Sequence, residues 1–114
     1  MEFIDGNFYT AKNDTGSCVF QFEDCEGNPF DLTGWKLEFI IKKCKFEEDD
    51  TALYMKEFSV DGSQLQIDFL KGELNFEPGT YYYGVRVHDE DNIRTLLDGK
   101  FIVGRTTFYA APQD

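Results

Sequence analysis

A chain of 114 residues has the length of one domain, and we expect residues 1–114 to form a single module around one core. Its 22 acidic residues against 11 basic ones give a net charge of −11, which argues against binding to a nucleic-acid backbone. Aromatic residues make up 17% of the chain, a content suited to a core between two β-sheets, and no stretch approaches the roughly 18 apolar residues of a membrane helix.

The first half of the chain predicts three strands. Phe8–Thr10 forms a short one, and a turn follows at Asn13–Gly16. Residues 17–24 and 35–43 alternate between apolar and polar side chains, as half-buried strands do, and the Asp31–Gly34 step leads into the second of them. The predicted inward faces of these two strands comprise Cys18, Phe20, Phe22, Trp35, Leu37, Phe39 and Ile41.

The middle of the chain alternates between loops and strands. Cys44–Thr51 is rich in acidic residues, has no apolar period and is expected to be an exposed loop. Residues 52–60 and 64–70 have strand patterns, and Asp61–Ser63 between them is typical of a hairpin turn. Leu74–Glu77 is too short for a helix, so we expect a crossing turn at the end of a sandwich.

The clearest strand signal begins at Pro78 and Gly79, which suit a tight turn. Tyr81 follows at the position where immunoglobulin-like sandwiches place a tyrosine whose hydroxyl bonds the backbone upstream. The alternation that follows predicts an inward face of Tyr81, Tyr83, Val85 and Val87, and an outward face of Tyr82, Arg86 and His88.

Residues 93–109 predict a long final strand, bent or bulged at Asp98-Gly99. The whole chain therefore contains seven to eight predicted strands about ten residues apart, with no helix-period segment. This spacing predicts an all-β fold, an immunoglobulin-like antiparallel β-sandwich.

Cys18, Cys25 and Cys44 are an odd number at no metal-ligand spacing, so we expect reduced thiols that serve as buried small side chains. Residues 1–10 lack a basic leader and an apolar run, which predicts synthesis in a cytoplasm without a signal peptide. The sequon Asn13–Thr15 is then a chance match, because glycosylation requires a secretory pathway.

The sequence predicts no enzyme. His88 is the only histidine, and none of Ser17, Ser59 and Ser63 lies in the Gly-x-Ser-x-Gly context that exposes a nucleophile. A pair of carboxylates for glycoside hydrolysis needs a cleft with opposed walls, which a small sandwich seldom provides. We therefore expect no catalytic residues.

The sequence also predicts no cofactor and no metal. Asp89–Asn92 is similar to the start of a calcium loop, but Arg94 stands where that loop requires glycine and Lys100 where it requires glutamate. These differences exclude an EF-hand. A looser calcium site shared between this turn and Glu47–Asp50 stays open as an alternative to two solvated acidic loops.

Three aromatic residues outside the strongest core pattern suggest a second kind of binding. Tyr82, Tyr54 and Phe46 could line a face on which sugar rings stack. The alternative function is therefore that of a carbohydrate-binding sandwich.

Four turn and strand motifs together resemble the amino-terminal domain of phage baseplate upper proteins. They are an Asp-x-x-Gly turn at Asp24–Gly27, an Asp-Leu-Thr-Gly step at Asp31–Gly34, a Pro-Gly-x-Tyr turn at Pro78–Tyr81 and a Gly-x-Phe-x-Val strand at Gly99–Val103. The resemblance spans nearly the whole chain. It implies an immunoglobulin-like sandwich that is a structural part of a phage virion.

From this resemblance we expect a non-enzymatic virion protein, in the tail or baseplate, neck or head, made in the host cytoplasm. Its expected partners are other virion proteins and further copies of itself in a symmetric assembly, with neither nucleic acid nor membrane. The chain ends soon after the sandwich, which suggests an adaptor, decoration or connector protein. We expect the interface to use outward aromatic residues and an unpaired edge, that of the first or the last strand, but the sequence does not identify which residues make the contacts.

Overall fold

The computed structural model describes residues 1–46, 48 and 51–104. The eight elements with defined bounds in these ranges are all β-strands, which confirms the all-β prediction and the expected number of strands. In the same ranges, no helix is long and apolar enough to cross a membrane. The strands are β1 (Glu2–Ile4), β2 (Asn7–Ala11), β3 (Gly16–Gln21), β4 (Lys36–Lys42), β5 (Tyr54–Ser59), β6 (Gln64–Phe69), β7 (Gly79–His88) and β8 (Ile93–Gly104).

The strands form a six-stranded sheet in the order β1-β2-β8-β7-β4-β5 and a two-stranded sheet of β3 and β6. The strand order matches that of an immunoglobulin-like sandwich, whose strands are conventionally named by letters. In that naming, β8, β7, β4 and β5 correspond to strands G, F, C and C′ of one sheet, and β3 and β6 correspond to strands B and E of the other. The pairing is antiparallel throughout the described strands except between β2 and β8, which run parallel. Side-chain alternation has the same period in both directions, so it cannot reveal this.

The first hairpin was not predicted. Asp5 and Gly6 both have positive φ, at 53° and 83°, as the two central residues of a type I′ hairpin turn do. The turn folds β1 back against β2, pairing Phe3 with Phe8. The Asp-Gly dipeptide between apolar residues was the available signal.

The core lies between the two sheets. Phe39 of β4 is its centre: its ring lies 5.5 Å from that of Phe69 on the opposite sheet and 5.7 Å from that of Tyr83 on the neighbouring strand. All the predicted inward positions of β4 and β7 are buried. The largest fully buried side chains are Phe8, Phe39, Phe69, Phe101, Leu37, Ile41, Ile67, Leu74, Val85 and Val87.

Tyr81 makes the hydrogen bond that its position predicted. Its hydroxyl donates to the backbone carbonyl of Glu77 over 2.6 Å, and its ring lies 5.3 Å from that of Phe76. The segment before it crosses from β6 in one sheet to β7 in the other, which confirms the predicted crossing turn at Leu74–Glu77. The bond fixes this crossing to the start of β7.

The hairpin predicted at Asp61–Ser63 was wrong. β5 pairs with β4 and β6 pairs with β3, so this turn carries the chain from one sheet to the other. A short polar turn between two strands has the same composition in both cases, because the composition reflects only the reversal of the backbone.

The final strand carries its bulge at Leu96 rather than at Asp98-Gly99. Val85 pairs with Leu97 and Arg86 with Thr95, which leaves Leu96 as the extra residue. Gly99 has a different role, because a Cβ at this position would collide with the backbone oxygen of Gly6. The part of the predicted strand at 105–109 lies outside the described residues, as do Glu47, Asp49 and Asp50 of the acidic loop.

Candidate functional site

An apolar groove of about 740 Å³ lies along one side of the sandwich, where β3 of the small sheet faces the first half of β8. Apolar side chains from both sheets and from the loop between β3 and β4 line it. We call it the side groove and define it by Phe20, Phe22, Phe30, Trp35, Leu96 and Leu97. Phe30 and Leu96 remain 48% and 41% exposed, so the groove presents apolar surface to solvent.

The side groove exists because β2 covers only part of β8. The pairing between the two strands runs from Phe101 to Gly104, whereas Ile93–Gly99 pairs with β7 alone among the described strands. An extension of β2 toward its N-terminus would run along this part of β8. Instead the chain reverses at Asp5-Gly6, and β1 pairs with the edge of β2 that faces away from β8. β3 likewise has β6 on one side and no described strand on the other. Two strand edges that no described strand covers therefore border the groove.

Three loops meet at the end of the sandwich where the groove opens. They connect β3 to β4, β5 to β6 and β7 to β8, and the cross-strand pairs of Lys36 with Ser59 and with His88 place them at the same end. These loops contain eight acidic residues and no lysine or arginine. We call this surface the acidic end, and its acidic residues are Glu23, Asp24, Glu26, Asp31, Asp61, Asp89, Glu90 and Asp91.

Three aspartates of the acidic end, Asp24, Asp31 and Asp89, are also structural, and we call them the turn aspartates. Each places Oδ1 within hydrogen-bonding distance of donors two to four residues ahead, for example the backbone N–H groups of Glu26 and Asn28 at 2.9 and 3.0 Å from Asp24. These hydrogen bonds hold the pKa of each turn aspartate below its usual range. The three carboxylates are therefore charged at neutral pH.

A charged cluster lies on the outer face of the six-stranded sheet. Glu38 is only 9% exposed, and Arg86 donates two hydrogen bonds to its carboxylate, from Nε at 3.2 Å and from a terminal nitrogen at 3.1 Å. Nε2 of His88 lies 3.0 Å from Glu38 and 3.3 Å from Glu57. The cluster links β4, β5 and β7. The sequence placed Arg86 and His88 outward, but only the strand register brings Glu38 and Glu57 to them.

This cluster contains three potential metal ligands. The ligand atoms of Glu38, Glu57 and His88 lie within 4.8 Å of one another. Arg86, however, occupies both oxygens of Glu38, so a cation bound there would lie beside a guanidinium and be repelled by it. The partly buried carboxylate of Glu38 is already neutralised by its bidentate pair with Arg86 and does not need a metal ion as counter-charge. The geometry therefore favours an ion-pair network that joins three strands.

The three aromatic residues considered for sugar stacking do not share a face. Tyr54 points inward, with its ring 6.2 Å from that of Phe39. Tyr82 pairs with Lys42 and lies on the outer face, half-buried. Phe46 is 94% exposed in the loop after β4. A sugar ring could not stack on all three, so these residues do not form a shared stacking platform.

The other candidate residues occupy separate places. Cys18 is half-buried while Cys25 and Cys44 are exposed, so the expectation of buried small side chains was wrong for the last two. Ser59 accepts a hydrogen bond from Lys36 over 2.7 Å, and Lys36 lies between Ser59 and His88 in the sheet. The carboxylate of Asp89 is engaged by its own turn, and most of the loop suggested to share calcium with it lies outside the described residues.

Comparisons of the chain with protein-family models, with curated proteins and with solved structures find no match. Function is therefore inferred from the fold and from the surfaces described above. The side groove was not predicted from the sequence. Its only sequence signal is the Asp5-Gly6 dipeptide, which indicates that the chain reverses before β2. The dipeptide does not indicate that this reversal leaves the first part of β8 without a partner strand.

Proposed function

We propose that this chain is a non-enzymatic structural protein of a phage virion that acts through protein–protein assembly. The observation that carries the proposal is the pair of strand edges on either side of the side groove that none of the described strands covers. Unpaired edges offer rows of backbone donors and acceptors to a partner chain, and assembly proteins commonly use them in this way. The apolar lining adds area that a partner can bury.

The virion assignment is supported by the resemblance to the amino-terminal domain of phage baseplate upper proteins. Its motifs occupy defined structural positions. Asp24 and Asp31 organise turns at the acidic end, Tyr81 ties the crossing before β7, and Gly99 lies beneath the first hairpin. The motifs that carry the resemblance therefore specify the sandwich, and the edges that no described strand covers are the means of assembly.

The test is whether the chain is part of the particle. Virions of the phage that encodes it are purified on two successive density gradients, and the proteins are quantified by mass spectrometry. We expect the chain at a fixed copy number per particle, in proportion to a known tail or capsid protein. A chain that stays in the lysate, with particles that are complete and infectious when its gene is deleted, would refute the proposal.

A further inference from the structure

The strand edge formed by Ile93–Gly99 is suited to accept another strand. These residues, apart from the bulged Leu96, pair with β7 on one side, and none of the described strands pairs with them on the other. The limits of the edge are visible: at Lys100 the backbone N–H already bonds the side chain of Asn7, and from Phe101 the edge is covered by β2. The part without a described strand partner is seven residues long, the length of an ordinary strand, and the backbone oxygen of Gly6 lies against its last residue, Gly99.

The side groove beside this edge specifies the side chains of the incoming strand. A strand paired with Ile93–Gly99 would direct alternate side chains toward β3, into the space lined by Phe20, Phe22 and Trp35. These surfaces are apolar, so the inward side chains of the occupant must be apolar as well. A polar strand would leave unbonded groups in the groove and would be disfavoured.

Charge also limits which partner the groove accepts. The acidic end borders the groove directly, since Glu23 and Asp24 are among its lining residues and the turn after β7 is adjacent. Among the described residues that line the groove, Arg94 is the one with a basic side chain. With a net charge of −11 over the whole chain, an acidic partner would be repelled, whereas lysine and arginine side chains would be attracted.

We propose that the side groove accepts an extended segment of a partner protein in which apolar side chains alternate with lysine or arginine, and that its backbone pairs with Ile93–Gly99. This inference rests on the proposed function, since it names the kind of partner that the assembly surface takes. The occupant would lie where an N-terminal extension of β2 would lie if the chain did not reverse at Asp5-Gly6.

The test uses the full chain labelled with ¹⁵N and a synthetic ten-residue peptide in which lysine alternates with valine and leucine. We expect the peptide to slow amide hydrogen exchange at least tenfold within Ile93–Gly99 and to leave β5 unchanged. A second peptide, with glutamate in place of every lysine, should bind at least tenfold more weakly. Equal binding of the two peptides, or protection confined to β5, would overturn the proposal.

Matched variants separate the groove from the rest of the surface. Leu96→Lys and Ile93→Lys place a charge at exposed positions on the groove edge, whereas Met55→Lys does so at a 54% exposed position on the opposite edge of the sheet. We expect each of the first two to weaken binding at least tenfold, and Met55→Lys to change it less than twofold. Equal effects of all three would overturn the proposal. The oligomeric state of the chain without peptide is measured by sedimentation. If the chain self-associates and Leu96→Lys abolishes this, a second copy is the occupant, and the proposal is also overturned.

The same variants distinguish this inference from the virion role. Phage carrying Leu96→Lys should incorporate the chain poorly, and phage carrying Met55→Lys should incorporate it normally. If both variants are incorporated equally, the groove assignment fails while the virion role stands. If the wild-type chain is absent from virions but the peptide still binds along Ile93–Gly99, the virion role fails while the groove assignment stands.

Discussion

Replacement of Tyr81 by phenylalanine isolates one hydrogen bond of the sandwich. The hydroxyl donates to the carbonyl of Glu77 over 2.6 Å, and it ties the crossing segment to the start of β7. Phenylalanine preserves the ring, which is 6% exposed and packs against Phe76, so the substitution removes little apolar contact. Its effect therefore reports the hydrogen bond rather than the core.

The expected loss of stability follows from the surroundings of that bond. A typical hydrogen bond contributes about 0.5–1.5 kcal/mol net, and a buried acceptor left without a partner adds to the loss. The Glu77 side chain is 65% exposed, so water can reach this segment and limit the added cost. We expect Tyr81→Phe to lower the free energy of unfolding by about 1–2 kcal/mol. At this chain length the melting temperature should fall by roughly 3–6 °C for each kcal/mol.

Urea unfolding followed by the fluorescence of Trp35, the only tryptophan, measures this change. Trp35 packs against the core and should report its exposure to solvent. Tyr9→Phe is the matched control, because Tyr9 is 37% exposed on β2 and the loss of its hydroxyl should cost less than about 0.5 kcal/mol. If the two variants unfold at the same urea concentration with the same slope, the corner bond does not stabilise the fold and the reasoning fails.

Three further outcomes are expected. Gly99→Ala should lower the free energy of unfolding by roughly 1–3 kcal/mol in the same urea assay, because the added Cβ collides with the backbone of Gly6. In the control Gly84→Ala the added Cβ meets only a side-chain methyl at 3.4 Å, so the loss of stability should be clearly smaller. Equal losses in the two variants would contradict this. Hydrogen bonds lower the folded-state pKa of the turn aspartates, so their stabilisation is complete above the unfolded pKa near 3.8 and is lost as the pH falls through the folded values. The urea midpoint should therefore decrease from about pH 5 downward, and less so in Asp31→Asn, whereas an unchanged profile would count against the turn bonds. Burial, together with the Asp68 carboxylate, raises the pKa of the Cys18 thiol to about 11, so a thiol reagent at pH 8 should modify the two exposed cysteines rapidly and Cys18 only on unfolding; three equal rates would refute this.

Much of the fold was predictable because its signals are local. The alternation in β4 and β7 identified the inward faces, and every predicted inward residue from Leu37 to Ile41 and from Tyr81 to Val87 is buried. The Pro-Gly turn and the tyrosine two residues after it predicted the corner bond. Each of these depends on residues within a few positions of one another, so a single segment contains the whole signal.

The candidate site was not predictable, because it is formed by segments that are distant in the chain. The hydroxyl of Tyr83 donates to the carbonyl of Gly6 across 77 positions, which fixes the first hairpin over Gly99, and no pattern near either residue indicates the other. The charged cluster around Glu38 depends in the same way on the registers of β4 with β5 and β7.

The sequence by itself determined which side chains face the core and where the chain turns, because these follow from the two-residue period of a strand and from the conformations available to glycine and proline. Only the tertiary structure decided that β2 runs parallel to β8 and covers only its last four residues. Strand direction, register and edge coverage arise from backbone hydrogen bonds between remote segments, and any strand pattern can make such bonds with many partners. The side groove is the consequence of that choice.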